Sequence, residues 1–326
     1  MVMQVPAADQ LRILLDGIIQ VVPEPEFRRA VEDAAAGVRP PLRVKFGVDP
    51  TKPDLHLGHA VQLRKLRQFQ RLGHTAVLVI GGFTAQLGDP TGRSEQRQVL
   101  TAAEVAQNAE TYLAQAGRVL LAERLEIVNN ADWFDAMRCE DILEMTSQVT
   151  VAQLLERDDF SRRLAEHRPL SVMELMYPVL QGQDSVEIHA DIEFGGTDQT
   201  FNMLVARGLQ SAARQRPQAV MTLPLLTGLD GVQKMSKSFG NYVALTDTPE
   251  SMYRKLLGVP EQLLEQYLQL TTDLHPDETD RLVAAIRGGE LTPAQVARRL
   301  AREVVSLYYD SATAERVDQL PSSASR

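Results

Sequence analysis

Leu42-Arg-Val-Lys-Phe-Gly-Val48 and Ala76-Val-Leu-Val-Ile80 bracket the stretch of chain that decides the fold. The first is a short β-rich run and the second a continuous apolar one, the pattern of a strand buried on both faces. Asp49-Pro50 ends the first run, and Lys52-Pro53-Asp54 is read as a turn. From about Leu57 to Leu72 the period changes, with Leu63, Leu66 and Phe69 on one side of a helix. Strand, helix and strand in succession make a crossover unit, which joins parallel strands.

Outward from this unit the alternation continues. Leu125-Glu-Ile-Val-Asn129, Asp191–Phe194 and Ala219–Leu223 read as strands. Thr101-Ala-Ala-Glu104 is a capping box that opens a helix, further helices run to about residue 184, and another starts at about Asp198. The first forty or so residues are expected to be helical, with Leu11, Leu14, Leu15 and Ile18 at helical spacing. From about Pro249 onward only helices are expected. The predicted fold class is α/β, a Rossmann-type doubly wound parallel sheet with a smaller all-helical C-terminal domain. The expected boundaries are 1–232 for the catalytic domain, 233–248 for a loop and linker, and 249–326 for the helices. In such sheets ligands sit beyond the carboxyl ends of the strands, and the motifs below fall there.

Composition excludes several classes. The chain has 326 residues, is 44% hydrophobic and 24% charged, and has one cysteine, Cys139. One cysteine rules out an internal disulfide framework and fits a reducing cytoplasm. The start, Met1-Val-Met-Gln-Val-Pro6, lacks the basic opening of a signal peptide, and no stretch approaches the roughly 18 apolar residues of a membrane span. A cytoplasmic protein with no membrane partner is expected. The terminal Pro321-Ser-Ser-Ala-Ser-Arg326 reads as a frayed tail. The net charge of −9 does not mark the surface for a polyanion, although a local cationic pocket for one nucleotide is compatible with it. Residues 251–326 carry nine Lys and Arg against eleven Asp and Glu, a balance of −2, so the helical part is not a strongly basic face either.

His56-Leu-Gly-His59 sits where the first strand gives way to a helix. Two imidazoles at that spacing share a face, and the N–H groups of a helix start favour an anion. Alone the motif also fits a metal pair or two surface histidines. Lys234-Met-Ser-Lys-Ser238 between Gly231 and Gly240 describes a mobile cationic loop able to close on a triphosphate and follow charge onto a leaving pyrophosphate. Gly195-Gly-Thr-Asp-Gln199 follows a strand, and its glycines let a ribose or adenine lie against the backbone. Asp198 either caps the next helix, faces a pocket, or does both. Tyr177, Gln181 and Asp184 form a single helical stripe of phenol, amide and carboxylate. Buried without partners, such a stripe would cost several kcal/mol, so it is expected to face a ligand.

With these motifs in order, the sequence resembles the class I aminoacyl-tRNA synthetases, and within them the bacterial tyrosyl-tRNA synthetases. The resemblance runs from about Leu42 to Tyr309. It takes in Gly47-Val-Asp-Pro-Thr51, His56-Leu-Gly-His59, the Gly81–Gly92 loop with Arg93 and Arg97 beyond it, Met176–Asp184, Gly195–Gln199 and Lys234–Ser238. It implies that His56, His59, Lys234, Lys237 and Arg93 act on the ATP phosphates, with Mg²⁺ arriving on the nucleotide. It implies that Gly47, Asp49, Gly58, Gly196, Asp198, Ser238 and Arg97 line the ATP site. For the amino acid it implies Tyr177, Gln181 and Asp89 around the α-ammonium group, Asp184 on the substrate hydroxyl, and Lys45 and Gln199 nearby. It also implies a homodimer formed through about residues 130–170.

Three positions depart from the family pattern. Lys45 stands where many tyrosine enzymes have a second tyrosine reaching the phenol, although one bacterial branch carries lysine. Gln183 replaces a tyrosine, but points off the stripe. Met173 is expected on the pocket face, one turn before Tyr177, where related sequences often have histidine. Full-length bacterial tyrosyl enzymes continue into a basic S4-type RNA-binding domain beyond the point where this chain stops. Two acceptors for an activated tyrosine therefore follow: tRNA, or a non-tRNA acceptor in a biosynthetic pathway, with a related aromatic amino acid as alternative substrate. A non-catalytic binding paralogue would not require the phosphate motifs together.

Overall fold

The structure, a computed structural model, describes residues 5–51, 55–90 and 100–319. The expected turn at 52–54, both Arg93 and Arg97, and the 321–326 tail lie outside the described residues.

Six strands form one sheet: β1 (Gln20–Val22), β2 (Arg43–Val48), β3 (Thr75–Ile80), β4 (Leu125–Asn129), β5 (Ile192–Gly196) and β6 (Ala219–Leu223). Their order is β1-β6-β5-β2-β3-β4. The five strands read from the sequence pair in parallel, with Val48 opposite Ile80 and Gly196 opposite Leu223. β1 is a correction to the expected helical N-terminus. It pairs antiparallel with β6, Gln20 opposite Thr222, so the sheet is mixed at one edge.

β3 shows why its sequence is apolar throughout. Ala76, Leu78 and Ile80 enter one core, while Val77 and Val79 enter a second core on the other face. The helix Leu57–Arg71 covers the first face with Leu57, Leu63, Leu66 and Phe69, all fully buried. On the opposite side, the helices Val172–Glu187 and Thr200–Ala212 pack closely at Gly182. A Cβ there would come within 2.7 Å of Leu209 Cδ1 and 3.0 Å of Ala206 Cα, so no larger residue fits without movement.

The chain leaves β2 toward β3 and β4 on one side, then crosses to β5 and β6 on the other. The switch point therefore lies between the carboxyl ends of β2 and β5, where a doubly wound sheet opens a crevice. Beyond Thr248 the described chain is helical. Three of these helices open with proline in the first turn, Pro249, Pro276 and Pro293, each after a side-chain cap from Thr248, His275 or Thr292. A fourth helix, Leu264–Thr271, docks the group on the Leu57 helix, whose buried Arg64 donates to Leu270 O and, at 2.8 Å, to Asp273 just beyond it.

His74, just before β3, is 3% exposed, and its Nδ1 accepts the Leu42 N–H at 3.2 Å. Burial, reinforced by Arg124, pushes its pKa from 6.5 down to about 4. The unfolded chain therefore binds a proton between those values that the folded chain refuses, and stability falls as pH drops through that window. A loss of about 2 kcal/mol between pH 7 and pH 5 is expected from this group. In His74→Asn, whose Oδ1 can accept the same N–H, urea midpoints should fall less over that range. An identical decline in both proteins would remove His74 as the cause.

Candidate active site

A cavity of about 520 Å³ opens at the switch point. His56 and His59 line it from the start of the Leu57 helix, and Lys234, Lys237 and Ser238 line it from the far loop. His56 is the residue before the helix, and its backbone N–H donates to His59 Nδ1 at 3.2 Å. The two rings lie with their centroids 3.9 Å apart, tilted 40° to each other. The helix start, whose free N–H groups favour an anion, and both imidazoles thus line one space.

The loop is shaped by its own side chains. Ser236 caps the turn Lys237–Phe239, and Gly240 takes a left-handed conformation with φ +68°. The buried Asn241 accepts the Ser236 N–H at 2.8 Å and donates to Asp230 at 2.7 Å. Past the loop the chain returns alongside the histidine motif. Leu57 N–H donates to Val243 O, and Leu245 N–H to Leu55 O, each at 3.0 Å.

Gly47, Asp49, Gly58, Gly196 and Asp198 also line the cavity, from the ends of β2 and β5 and the first turn of the Leu57 helix. Gly81 serves Asp49. Thr84 Oγ1 donates to Asp49 Oδ1 at 2.8 Å, and a Cβ on Gly81 would lie 2.0 Å from that oxygen. The helix expected from Asp198 begins at Thr200, so the capping reading of Asp198 falls and the pocket reading stands. Burial, then Asp89, raises the Asp198 pKa, and Lys234 opposes this.

At the other end stands the predicted stripe, with Tyr177, Gln181 and Asp184 all on the cavity wall. Tyr177 hydroxyl donates to Asp49 Oδ2 at 2.8 Å. Burial and the neighbouring Asp49 and Asp89 raise its pKa well above 10, so it remains a donor. Asp184 is 4% exposed and accepts from Trp133 Nε1 at 3.2 Å and Asn130 Nδ2 at 3.5 Å. Burial lifts its pKa to about 7, against the pull of Lys45 and the Asn130 bond. Asp89 and Gln199 line the same wall and are joined at 2.7 Å.

Two expected placements change. Met173 lies in the first turn of its helix, 42% exposed, and is not on the cavity wall. Lys45 is fully buried behind the wall, where it pairs with Glu193 at 3.0 Å and donates to Ser185 Oγ and Gln181 O. Glu193 itself reaches the cavity and was missed from sequence. A signal existed, because Lys45 and Glu193 are charges set among apolar residues and stand opposite each other across β2 and β5. Trp133 and Asn130 were also missed. Gln183 turns away to Glu187, as expected.

The profile of the tRNA synthetases class I (W and Y) matches residues 38–322. Tyrosine–tRNA ligases of Moorella thermoacetica and Deinococcus radiodurans are 47% and 48% identical to this chain, over 93% and 94% of it. The chain spans 73% of the length of each. Among solved structures, the C-terminally truncated mitochondrial tyrosyl-tRNA synthetase of Aspergillus nidulans shares the fold with a TM-score of 0.78 at 21% identity. That match covers 96% of this chain and 92% of that one. The Archaeoglobus fulgidus tyrosyl-tRNA synthetase complexed with L-tyrosine gives 0.74 at 22% identity, covering 96% and 99%.

Proposed function

The chain belongs to the class I aminoacyl-tRNA synthetases of the tyrosine and tryptophan type, and from that membership we propose that it activates L-tyrosine with ATP and transfers the tyrosyl group to tRNA(Tyr). The observation that carries the proposal is the single cavity shared by the histidine motif, the lysine loop and the Tyr177 stripe.

The substrate carboxylate attacks the α-phosphate of ATP and pyrophosphate leaves. A carboxylate is already a nucleophile at neutral pH, so no general base or protein nucleophile is required. Rate enhancement comes from positioning and from cations around the developing phosphate charge. His56, His59, Lys234 and Lys237 supply those cations and donors, with Arg93 and Arg97 assigned to the same phosphates. Gly47, Asp49, Gly58, Gly196, Asp198 and Ser238 are assigned to the nucleotide. Mg²⁺ is treated as part of the substrate, carried on the phosphates. Tyr177, Gln181, Asp89 and Gln199 are assigned to the ammonium end of tyrosine and Asp184 to its hydroxyl. Lys45 acts through Glu193 as a positioning residue.

The domain boundaries proposed are 1–232, 233–248 and 249–326. A homodimer through about 130–170 is supported by exposed apolar side chains in and beside that region, Leu143 63%, Val151 62%, Leu164 54% and Val172 75%. A cytoplasmic location is proposed with the activity. Among the described residues no helix is long and apolar enough to cross a membrane.

The test is ATP–pyrophosphate exchange followed by charging of total tRNA. Exchange dependent on tyrosine, with label passing to tRNA, is the expected result. Exchange without charging would transfer the proposal to a non-tRNA acceptor, and no exchange with any aromatic amino acid would end it.

A further inference from the structure

Behind the amino-acid end of the cavity lies a chain of hydrogen bonds whose direction is set from outside it. Arg157, 6% exposed, is fixed by Asp159 at 2.6 and 2.8 Å and by stacking of its guanidinium 4.0 Å over the Phe160 ring. Its remaining contact is to Asn202, at 3.2 Å. A guanidinium only donates, so the Asn202 atom facing it is the amide oxygen. Asn202 Nδ2 therefore faces the other way, donating to Gln181 Oε1 at 3.0 Å and Gln199 Oε1 at 3.2 Å. The two glutamine nitrogens are then turned toward carboxylates, Gln181 to Glu193 at 3.1 Å and Gln199 to Asp89 at 2.7 Å. The chain starts at a group that cannot accept and ends at groups that, ionised, cannot donate. Its polarity is fixed at both ends.

We propose that Asn202, held by Arg157, is a positioning residue that locks the amide orientation of Gln181 and Gln199, so that Gln181 presents its oxygen to the substrate ammonium group. This rests on the assignment of that end of the cavity to an amino acid. Asn202 is 1% exposed and not on the cavity wall, so it acts through the glutamines. A carbonyl oxygen has two lone pairs, and Asn202 uses one of them on Gln181, leaving one for a cation. Were the amide reversed, Gln181 would meet an ammonium group with N–H donors and repel it.

Asn202→Asp is close to isosteric and keeps an acceptor for Arg157, but it cannot donate. Its carboxylate would face the Gln181 and Gln199 oxygens, and the amides are expected to turn over. The experiment compares binding of tyrosine and of 3-(4-hydroxyphenyl)propionate, which lacks only the ammonium group, by wild type and variant. The expected result is a weakening of tyrosine by roughly tenfold or more with the deamino analogue within about threefold. The KM for ATP in exchange should stay within about threefold, since the phosphate end is untouched. Arg157→Gln, whose amide can accept or donate, should shift the same ratio by less. A general loss of packing would weaken both ligands alike, and that result overturns the proposal, as does an unchanged ratio. Should Asn202→Asp fail to fold, Asn202→Ser decides in its place, since its hydroxyl can turn either way and a smaller shift of the same sign is expected. Wild-type protein without tyrosine-dependent exchange would instead remove the reading on which the proposal stands, and the proposal with it.

Discussion

Replacing Lys237 by alanine is expected to slow tyrosyl-adenylate formation by roughly 100- to 1,000-fold while tyrosine affinity stays within about twofold. Lys237 lines the cavity on a loop separate from the helix that carries Tyr177, Gln181 and Asp184. A cation there gains most when charge moves onto the departing pyrophosphate, so its contact strengthens in the transition state more than in the ground state. Such a group lowers the rate when removed and leaves ground-state binding of the other substrate alone. Single-turnover adenylate formation, with tyrosine affinity measured separately by equilibrium dialysis, separates the two quantities. A wild-type rate in the variant would strip Lys237 of its role.

The second large effect is expected at Asp184. Asp184→Ala should reduce kcat/KM for tyrosine on the order of 100-fold, the size of a charge-assisted hydrogen bond, and reduce it much less for phenylalanine. In the wild type, phenylalanine would leave a buried carboxylate facing an apolar ring, and that penalty vanishes with the carboxylate. The preference for tyrosine, read from exchange kinetics with both amino acids, should narrow accordingly. Equal losses for the two substrates would place Asp184 in the scaffold instead. The pH profile carries the same information. With its pKa raised to about 7 by burial, Asp184 gains a proton as pH falls below neutrality and then competes with the phenol as a donor. KM for tyrosine should rise on the acid side in the wild type and stay flatter in Asp184→Asn.

β3 and β6 were legible because burial on both faces leaves an apolar run that few other structures need. β1 was not. Gln20-Val-Val22 is too short for a period to register, and only its pairing with β6 makes it a strand. The histidine motif at a helix start, Gly195–Gln199 at a strand end and the lysine loop share one cavity, as their order along the chain implied. Asp184 was legible from the stripe, but its partners Trp133 and Asn130 were not, because they reach it from another segment through the fold. Met173 failed for a related reason. Helical spacing assigns a face along the whole helix, whereas the cavity wall begins only at Tyr177. Lys45 and Glu193 could have been paired in advance by asking what neutralises one charge in an apolar strand.

The rungs between 55–57 and 243–245 tie the segment that leads into the carboxy-terminal helices to the histidine motif. Going back along the chain from Pro249, the rung from Leu245 to Leu55 and then the one from Val243 to Leu57 are met before the lysines. A partner seated on those helices therefore sits one short span of backbone from both cationic motifs, the histidines on one side of the rungs and the lysines on the other.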